Sequence, residues 1–213
     1  MADGVAHSSA TLSKMAKKIR KVCTTSLKRM KLRKTLKIGG HSNNRFVVID
    51  ESKFIHKRKY NRGRFGGTWA RKGWVFGMLE VHRQTRRPIL KLVKTRARAT
   101  LIPIIEKHVR CNSNIYSDSW RAYVNALNPR GYRHFPVNHR YHFVDPLTGS
   151  HTQHIERFWR TVKEQIWRVR GNRSEKLLKT HLKVIEWTYW LGKRNAKGVF
   201  AQMVHDIAKT YKV

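Results

Sequence analysis

The chain has 213 residues, with 47 Lys and Arg against 12 Asp and Glu, for a formal net charge of +35. Apolar residues make up 40 % of it, including 7 Trp, 7 Tyr and 8 Phe, enough for a packed core, which excludes a wholly disordered basic tail. No apolar run approaches the roughly 18 residues that cross a bilayer, no apolar leader precedes a cleavage site, and two cysteines build neither a disulfide framework nor a CxxC zinc site.

In chain order, residues 1–10 are small and polar and read as disordered. Over 11–37, basic clusters (Lys17, Lys18, Arg20, Lys21, then Lys28, Arg29, Lys31, Arg33, Lys34) alternate with Met15, Ile19, Val22, Leu27, Met30 and Leu36 at roughly helical spacing. They read as one or two basic helices lying on something acidic. Ile38-Gly39-Gly40-His41 is a linker. Phe46-Val47-Val48-Ile49 is the short, β-rich apolar run expected of a strand buried on both faces. Residues 74–81 and 88–93 form two more strands, joined as a hairpin by a polar turn. A helix follows over 97–109, with Pro103 placed in its first turn, where a missing N–H costs little. Ile115-Tyr116 is a fourth strand. It runs into Ser117-Asp118-Ser119, which can cap a helix over 120–127. Residues 133–137 are a fifth strand, and Asp145-Pro146-Leu147-Thr148-Gly149 is a turn. Helices over 152–170 and 174–194 follow, then a last amphipathic one grouping Phe200, Met203, Val204, Ile207 and Tyr211. The expected fold is α/β: a mixed sheet flanked by helices over 45–170, a basic helical extension over 1–44, and C-terminal helices over 171–213 packing on the sheet domain.

In so basic a chain, acids near strand and helix ends are informative. Asp50 ends the first strand, Asp118 ends the fourth, and Glu156 lies in the first turn of a long helix, with 37 residues between the last two. Strand-end carboxylates fall in the crevice where α/β active sites collect. Three converging carboxylates repel one another unless a hard dication lies between them, and oxygen-only ligands suit Mg²⁺ or Mn²⁺, in a pair where phosphoryl transfer is the task. The plainer reading makes Asp50 and Asp118 strand-end caps and Glu156 a charge favoured by the helix dipole.

These residues carry a resemblance. Val48-Ile49-Asp50-Glu51-Ser52-Lys53-Phe54, the basic stretch ending Tyr60-Asn61-Arg62-Gly63-Arg64, and Trp74-Val75-Phe76-Gly77 resemble the DDE transposases of the Merlin group and the related ISXO group of insertion sequences. So do Ser117-Asp118-Ser119-Trp120-Arg121-Ala122-Tyr123, Phe143-Val144-Asp145-Pro146, His151-Thr152-Gln153 and Ile155-Glu156 with Phe158-Trp159. The likeness spans about residues 38–170. It implies a ribonuclease-H-like fold and a triad of Asp50, Asp118 and Glu156 that holds metal. It also implies that Lys163, two turns along the same helix face, touches the transposon end. The activity implied is Mg²⁺-dependent cleavage at element ends followed by attack of a 3′-hydroxyl on target DNA, in a self-associating protein. Relatives usually carry a DNA-recognition module ahead of this domain. The 44 residues here hold one cysteine and build no zinc ribbon, so a truncated or host-retained copy is expected. A catalytically silent, transposon-derived DNA-binding protein is the alternative. An intracellular setting is expected, nuclear if the host is eukaryotic.

Lys57, Arg58, Lys59, Arg62 and Arg64, interleaved with Tyr60 and followed by Lys72, suit a loop on DNA, charges on phosphate and rings able to stack. Its plain reading is a solvated loop. Glu51 points to the face opposite Asp50 and takes a supporting or surface role; Asp145 forms its turn. His139 with His142 and His151 with His154 make two HxxH pairs, but no cysteine lies among them, and DNA contact or polar packing is preferred to zinc. Phe158, Trp159, Trp167, Trp187 and Trp190 are assigned mostly to the core.

Overall fold

The computed structural model describes residues 8–33, 36–42, 44–54, 73–137, 152–169 and 174–211. Its elements are α1 (Ser9–Arg33), β1 (Arg45–Ser52), β2 (Trp74–His82), β3 (Thr85–Val93), α2 (Arg98–His108), β4 (Asn114–Asp118), β5 (Arg133–Val137), α3 (Gln153–Arg168), α4 (Glu175–Trp190) and α5 (Gly198–Tyr211). They form two compact units, one joining Met1–Leu36 with Arg173–Val213 and the other running from Lys37 to Asn172. The basic extension and the C-terminal helices, separate segments in the sequence, share the first unit.

In that unit the extension is one helix. Ser8 Oγ accepts from the Thr11 N–H at 3.2 Å and caps α1. Val22, Cys23, Ser26 and Leu27 repeat at helical spacing and are buried, and α1 packs on α4 and α5. Ser174 caps α4, accepting from the Leu177 N–H at 3.1 Å. Trp187 Nε1 donates to the buried Asp206 carboxylate at 2.7 Å, tying α4 to α5. Burial, then the nearby Asp206, pushes the Cys23 thiol up to about 12, so this cysteine is an inert core residue.

The second unit is built on a five-stranded mixed sheet of order β3-β2-β1-β4-β5. This is the ribonuclease-H-like α/β arrangement that the resemblance implies. β1 is central, and Val47, Val48 and Ile49 are all fully buried, which is why that run is apolar without alternation. β1 and β2 are antiparallel, as are β2 and β3, while β4 is parallel to β1 and β5 parallel to β4. Pro136 lies in edge strand β5, where a missing ladder N–H is tolerated. α3 packs on β1 and β2.

Three sequence expectations are corrected. Residues 120–127 are not a helix. The Tyr123 N–H bonds to the Trp120 carbonyl and the Ala126 N–H to the Tyr123 carbonyl, both at 3.0 Å, and Asn125 at φ 54 breaks any α-helical run. A short 3-10 turn, Asn128–Arg130, follows. Secondly, α2 begins at Arg98, which puts Pro103 in the helix interior. The carbonyl of Ala99 thereby loses its helical donor; Ala99 and Pro103 are both exposed, so water can replace it. Thirdly, Trp167 is 48 % exposed, whereas Phe158, Trp159, Trp187 and Trp190 are buried as expected.

His134 on β5 meets Ser117 Oγ through Nε2 at 2.8 Å and the Tyr123 ring edge-on. Burial holds its imidazole down, at about 4. Below about 6.5 the unfolded chain gains a proton that the folded one refuses until about pH 4, so this histidine withdraws stability as pH falls through that window. His134→Gln should therefore lessen the acid loss of stability between those limits by about 1–3 kcal/mol, read from urea midpoints across a pH series.

Candidate active site

Side chains alternate along a strand, so Phe46, Val48 and Asp50 share one face of β1, and Asn114, Tyr116 and Asp118 share one face of β4. The parallel register pairs Val48 with Tyr116. Continued by two residues, it sets Asp50 level with Asp118 on strands about 5 Å apart. α3 covers the same face. Trp159 Nε1 donates to Asp50 Oδ2 at 2.8 Å. Glu156 precedes Trp159 by three residues and so shares its side of the helix.

Gly77 explains how the helix comes so close. It pairs with Asp50 across β1 and β2. A Cβ on it would lie 2.6 and 2.7 Å from Cζ2 and Cη2 of Trp159. The indole therefore lies on bare backbone, with its N–H aimed at the neighbouring carboxylate.

The three acids are held differently. Asp50 is half-buried and Glu156 exposed. Asp118 Oδ1 accepts from the Trp120 N–H at 3.3 Å, an Asx-type turn at the end of β4. The buried Thr152 hydroxyl donates to Glu156 Oε1 at 2.9 Å. Burial pushes the Asp50 carboxyl up to about 6; the Trp159 bond opposes this, and the charges of Asp118 and Glu156 add to it. The three acids thus share one electrostatic neighbourhood. Among the described residues no three His, Cys, Asp or Glu side chains make a closed metal-binding group. The donor set nonetheless fits a hard dication: oxygen ligands only, with Asp50 destabilised by its like-charged neighbours.

Glu51 faces the other way, as the pleat requires. Its side chain is 1 % exposed, with Oε2 3.9 Å from Arg96 Nη1. Burial, then Asp50 and Asp118, pushes its carboxyl up to about 8, against the pull of Arg96. The Arg96 guanidinium lies 4.1 Å from the ring centre of Trp74 and 4.3 Å from that of Trp120, whose Nε1 donates to the Arg96 carbonyl at 3.2 Å. This cluster braces the turn after Asp118 from behind. Lys163 is half-buried on α3. Lys57, Arg58, Lys59, Arg62, Arg64 and Lys72 lie outside the described residues, as do Asp145, His139, His142 and His151. The His154 ring lies beside Phe46, tilted by 42° with ring centres 5.5 Å apart. Sequence reasoning missed Gly77, Thr152 and the bonding role of Trp159; Gly77 in an otherwise bulky strand was the available signal.

The model of the ISXO2-like transposase domain matches residues 40–189. The chain belongs to that family. The match runs beyond the 38–170 over which the motifs are legible, into α4. An uncharacterized transposase-like protein of Haemophilus influenzae is 32 % identical over 91 residues, covering 43 % of this transposase-family chain and 71 % of that relative. A chain of the cryo-EM structure of the simian T-cell lymphotropic virus intasome in complex with PP2A regulatory subunit B56 gamma is similar with a TM-score of 0.44 and 15 % identity. That likeness covers 76 % of this chain and 54 % of the viral complex's chain, so the transposase-family chain spans about half the length of its solved neighbour.

Two outcomes follow from this geometry. Gly77→Ala should displace the Trp159 indole, remove its bond to Asp50 and cost about 1–3 kcal/mol, as overpacking does, seen in denaturant melts with altered Trp fluorescence. Asp50→Asn should do the reverse. Between 3.8 and about 6 the unfolded carboxyl is ionised while the folded one stays protonated, so stability falls as pH rises through that window and the loss is complete above it. In chelator-treated protein at pH 7 the variant should be about 1–3 kcal/mol more stable, with that pH slope abolished.

Proposed function

We propose that the unit Lys37–Asn172 is a transposase catalytic domain that cuts DNA at element ends and joins the freed 3′-hydroxyl to target DNA. The observation that carries this reading is the shared neighbourhood of Asp50, Asp118 and Glu156 on the α3 face of the sheet, with each of the other two raising the Asp50 pKa. Those three residues would hold Mg²⁺ or Mn²⁺. Bound there, a pair of such ions supplies activation of the attacking oxygen and stabilisation of the leaving oxygen in an in-line displacement.

The chain's own contribution is positioning. Trp159 fixes which Asp50 oxygen faces inward, the Trp120 N–H orients Asp118, and Thr152 steadies Glu156. Lys163 and the basic run with Lys57, Arg58, Lys59, Arg62, Arg64 and Lys72 would hold the phosphodiester backbone. Neither step requires a protein nucleophile, because water or the 3′-hydroxyl attacks phosphorus directly. Both DNA ends must be engaged in strand transfer, so self-association is part of the reading, as is an intracellular setting.

The exposed position of Glu156 favours a second reading, a transposon-derived DNA-binding protein that no longer cuts. Nicking of supercoiled plasmid in Mn²⁺ separates the two. Wild type should nick, and Asp118→Ala should be slower by at least about a hundredfold, the upper end of what residues that merely orient a metal ligand cost. Equal nicking by both proteins would overturn the active-site assignment, and nicking by neither would favour the silent DNA-binding protein.

A further inference from the structure

The face that carries Asp50 and Asp118 has a second feature at its other end, where β1 and β4 begin. A cleft of about 380 Å³ opens there, lined by residues of β1, β2, β3, β4 and α3 and of the turns before β1 and between β2 and β3. Such a volume suits one small ligand. Aromatic rings form one wall. Phe46 and Tyr116, on adjacent strands, stack with ring centres 4.9 Å apart and planes at 30°. His154 continues the row beside Phe46 at 5.5 Å, and Phe135 buttresses Tyr116 edge-on at 5.3 Å. Phe46, Tyr116 and His154 are all half-buried, so none is sealed in the core.

Three arginines also line the cleft. Arg45 begins β1, Arg83 lies in the turn between β2 and β3, and Arg86 is in β3 across from Val81. Arg86 donates to the carbonyls of Arg83 and Thr85 at 2.9 and 3.0 Å and so shapes the turn. Arg83 is held at φ 50, and Asn44, also on the cleft, at φ 62. At Arg83 that conformation is what the two-residue hairpin loop between His82 and Thr85 requires. The Nε of Arg45 is buried and has no hydrogen-bond partner among the described residues. Such a donor is costly unless something comes to accept from it.

We infer that this cleft receives one unpaired nucleotide of the DNA, its base against the Phe46–Tyr116–His154 row and its phosphate among Arg45, Arg83 and Arg86. The inference rests on the proposed DNA-processing function and adds a separate contact to it. A simple anion would use the guanidiniums and leave the rings idle. An apolar ligand would use the rings and leave three cations together in a chain of net charge +35. A nucleotide uses both, and stacking on aromatic rings tolerates any base. The base must be unpaired because rings recessed in a cleft are out of reach of one held in a duplex stack. Phe46 lies four residues before Asp50 on β1, about 13 Å along the strand. That is about four nucleotide steps of a duplex strand, so the displaced nucleotide lies within a few positions of the proposed scissile phosphate.

The test uses the full chain and three duplexes at one salt concentration: fully paired, with a single bulged nucleotide, and with an abasic residue at the bulge. Wild type should prefer the bulged base over the abasic bulge by about tenfold, the lower part of the range for stacking one base. Phe46→Leu, chosen to keep apolar volume, should reduce that preference to about twofold or less. Arg83→Asn, which tolerates the left-handed backbone, should weaken binding of the bulged duplex. Bromodeoxyuridine at the bulge should photo-cross-link wild type at the peptide containing Phe46 or Tyr116. Equal affinity of wild type for base and abasic bulges, or a cross-link mapped elsewhere, would overturn the cleft assignment while DNA binding stands. Failure to bind any of the three duplexes would overturn the DNA-processing function as well.

Discussion

The 2.8 Å bond from the Trp159 indole to Asp50 is the contact on which the catalytic face depends. It spans 109 positions of sequence and joins the last helix of the sheet unit to its first strand. Once the indole is fixed, the direction of α3 over the sheet is set. Glu156, one turn earlier, is brought beside Asp50, and His154, earlier still, is brought over Phe46. One hydrogen bond therefore registers the helix against both the acidic end and the aromatic end of the face.

Charge gives that bond a second meaning. Several acids elsewhere in the molecule are matched to cations. The buried Glu80 accepts from the Gly39 N–H at 2.7 Å and pairs with Arg87 at 3.2 Å, Glu106 pairs with Arg130 at 3.0 Å, and Glu186 pairs with Lys183. Among the described residues Asp50 has no such match, a situation it shares in part with Asp206, which accepts from the Trp187 indole, and with Glu51, which burial also pushes up. The Asp50 side chain is bonded by a neutral indole, and burial with like charges pushes it up to about 6 although the chain carries 47 Lys and Arg. A carboxylate that served only to hold the fold would be expected to gain from a cation and titrate low. One pushed up by burial, and further by two fellow acids, is arranged for a positive charge that the fold does not itself supply.

How much of this was legible in the sequence varies with how local the cause is. β1 was readable because burial on both faces removes alternation, and β5 was readable over its whole length, Arg133–Val137. The segment after β4 misled, since apolar spacing at 120–127 suggests a helix while the left-handed Asn125 is invisible to periodicity. Asp50, Asp118 and Glu156 stood out as rare acids at element ends, but nothing local reveals that their fields overlap. Gly77 and Trp159 carry meaning only as a pair drawn from distant segments, and the cleft gathers one or two residues from each of several strands, turns and a helix. Arg83 and Arg86 had passed for an ordinary polar turn. The joining of α1 to α4 and α5 was equally hidden, because an amphipathic stripe says that a partner exists and not which one.

The mixed character of the sheet follows from what each neighbour of β1 must provide. The parallel neighbour, β4, runs in the same direction as β1, and so its last residue delivers a second acid, Asp118, beside Asp50. An antiparallel strand in that place would present its beginning there, and its own terminal acid would fall at the far end. The antiparallel neighbour, β2, has the opposite task, to leave room. It sets Gly77 directly across from Asp50, and that missing side chain is what admits the indole. Acid on one flank and empty space on the other are both needed for α3 to bring Glu156 in. A parallel and an antiparallel strand beside the same central strand are thus a requirement of the site as much as of the fold.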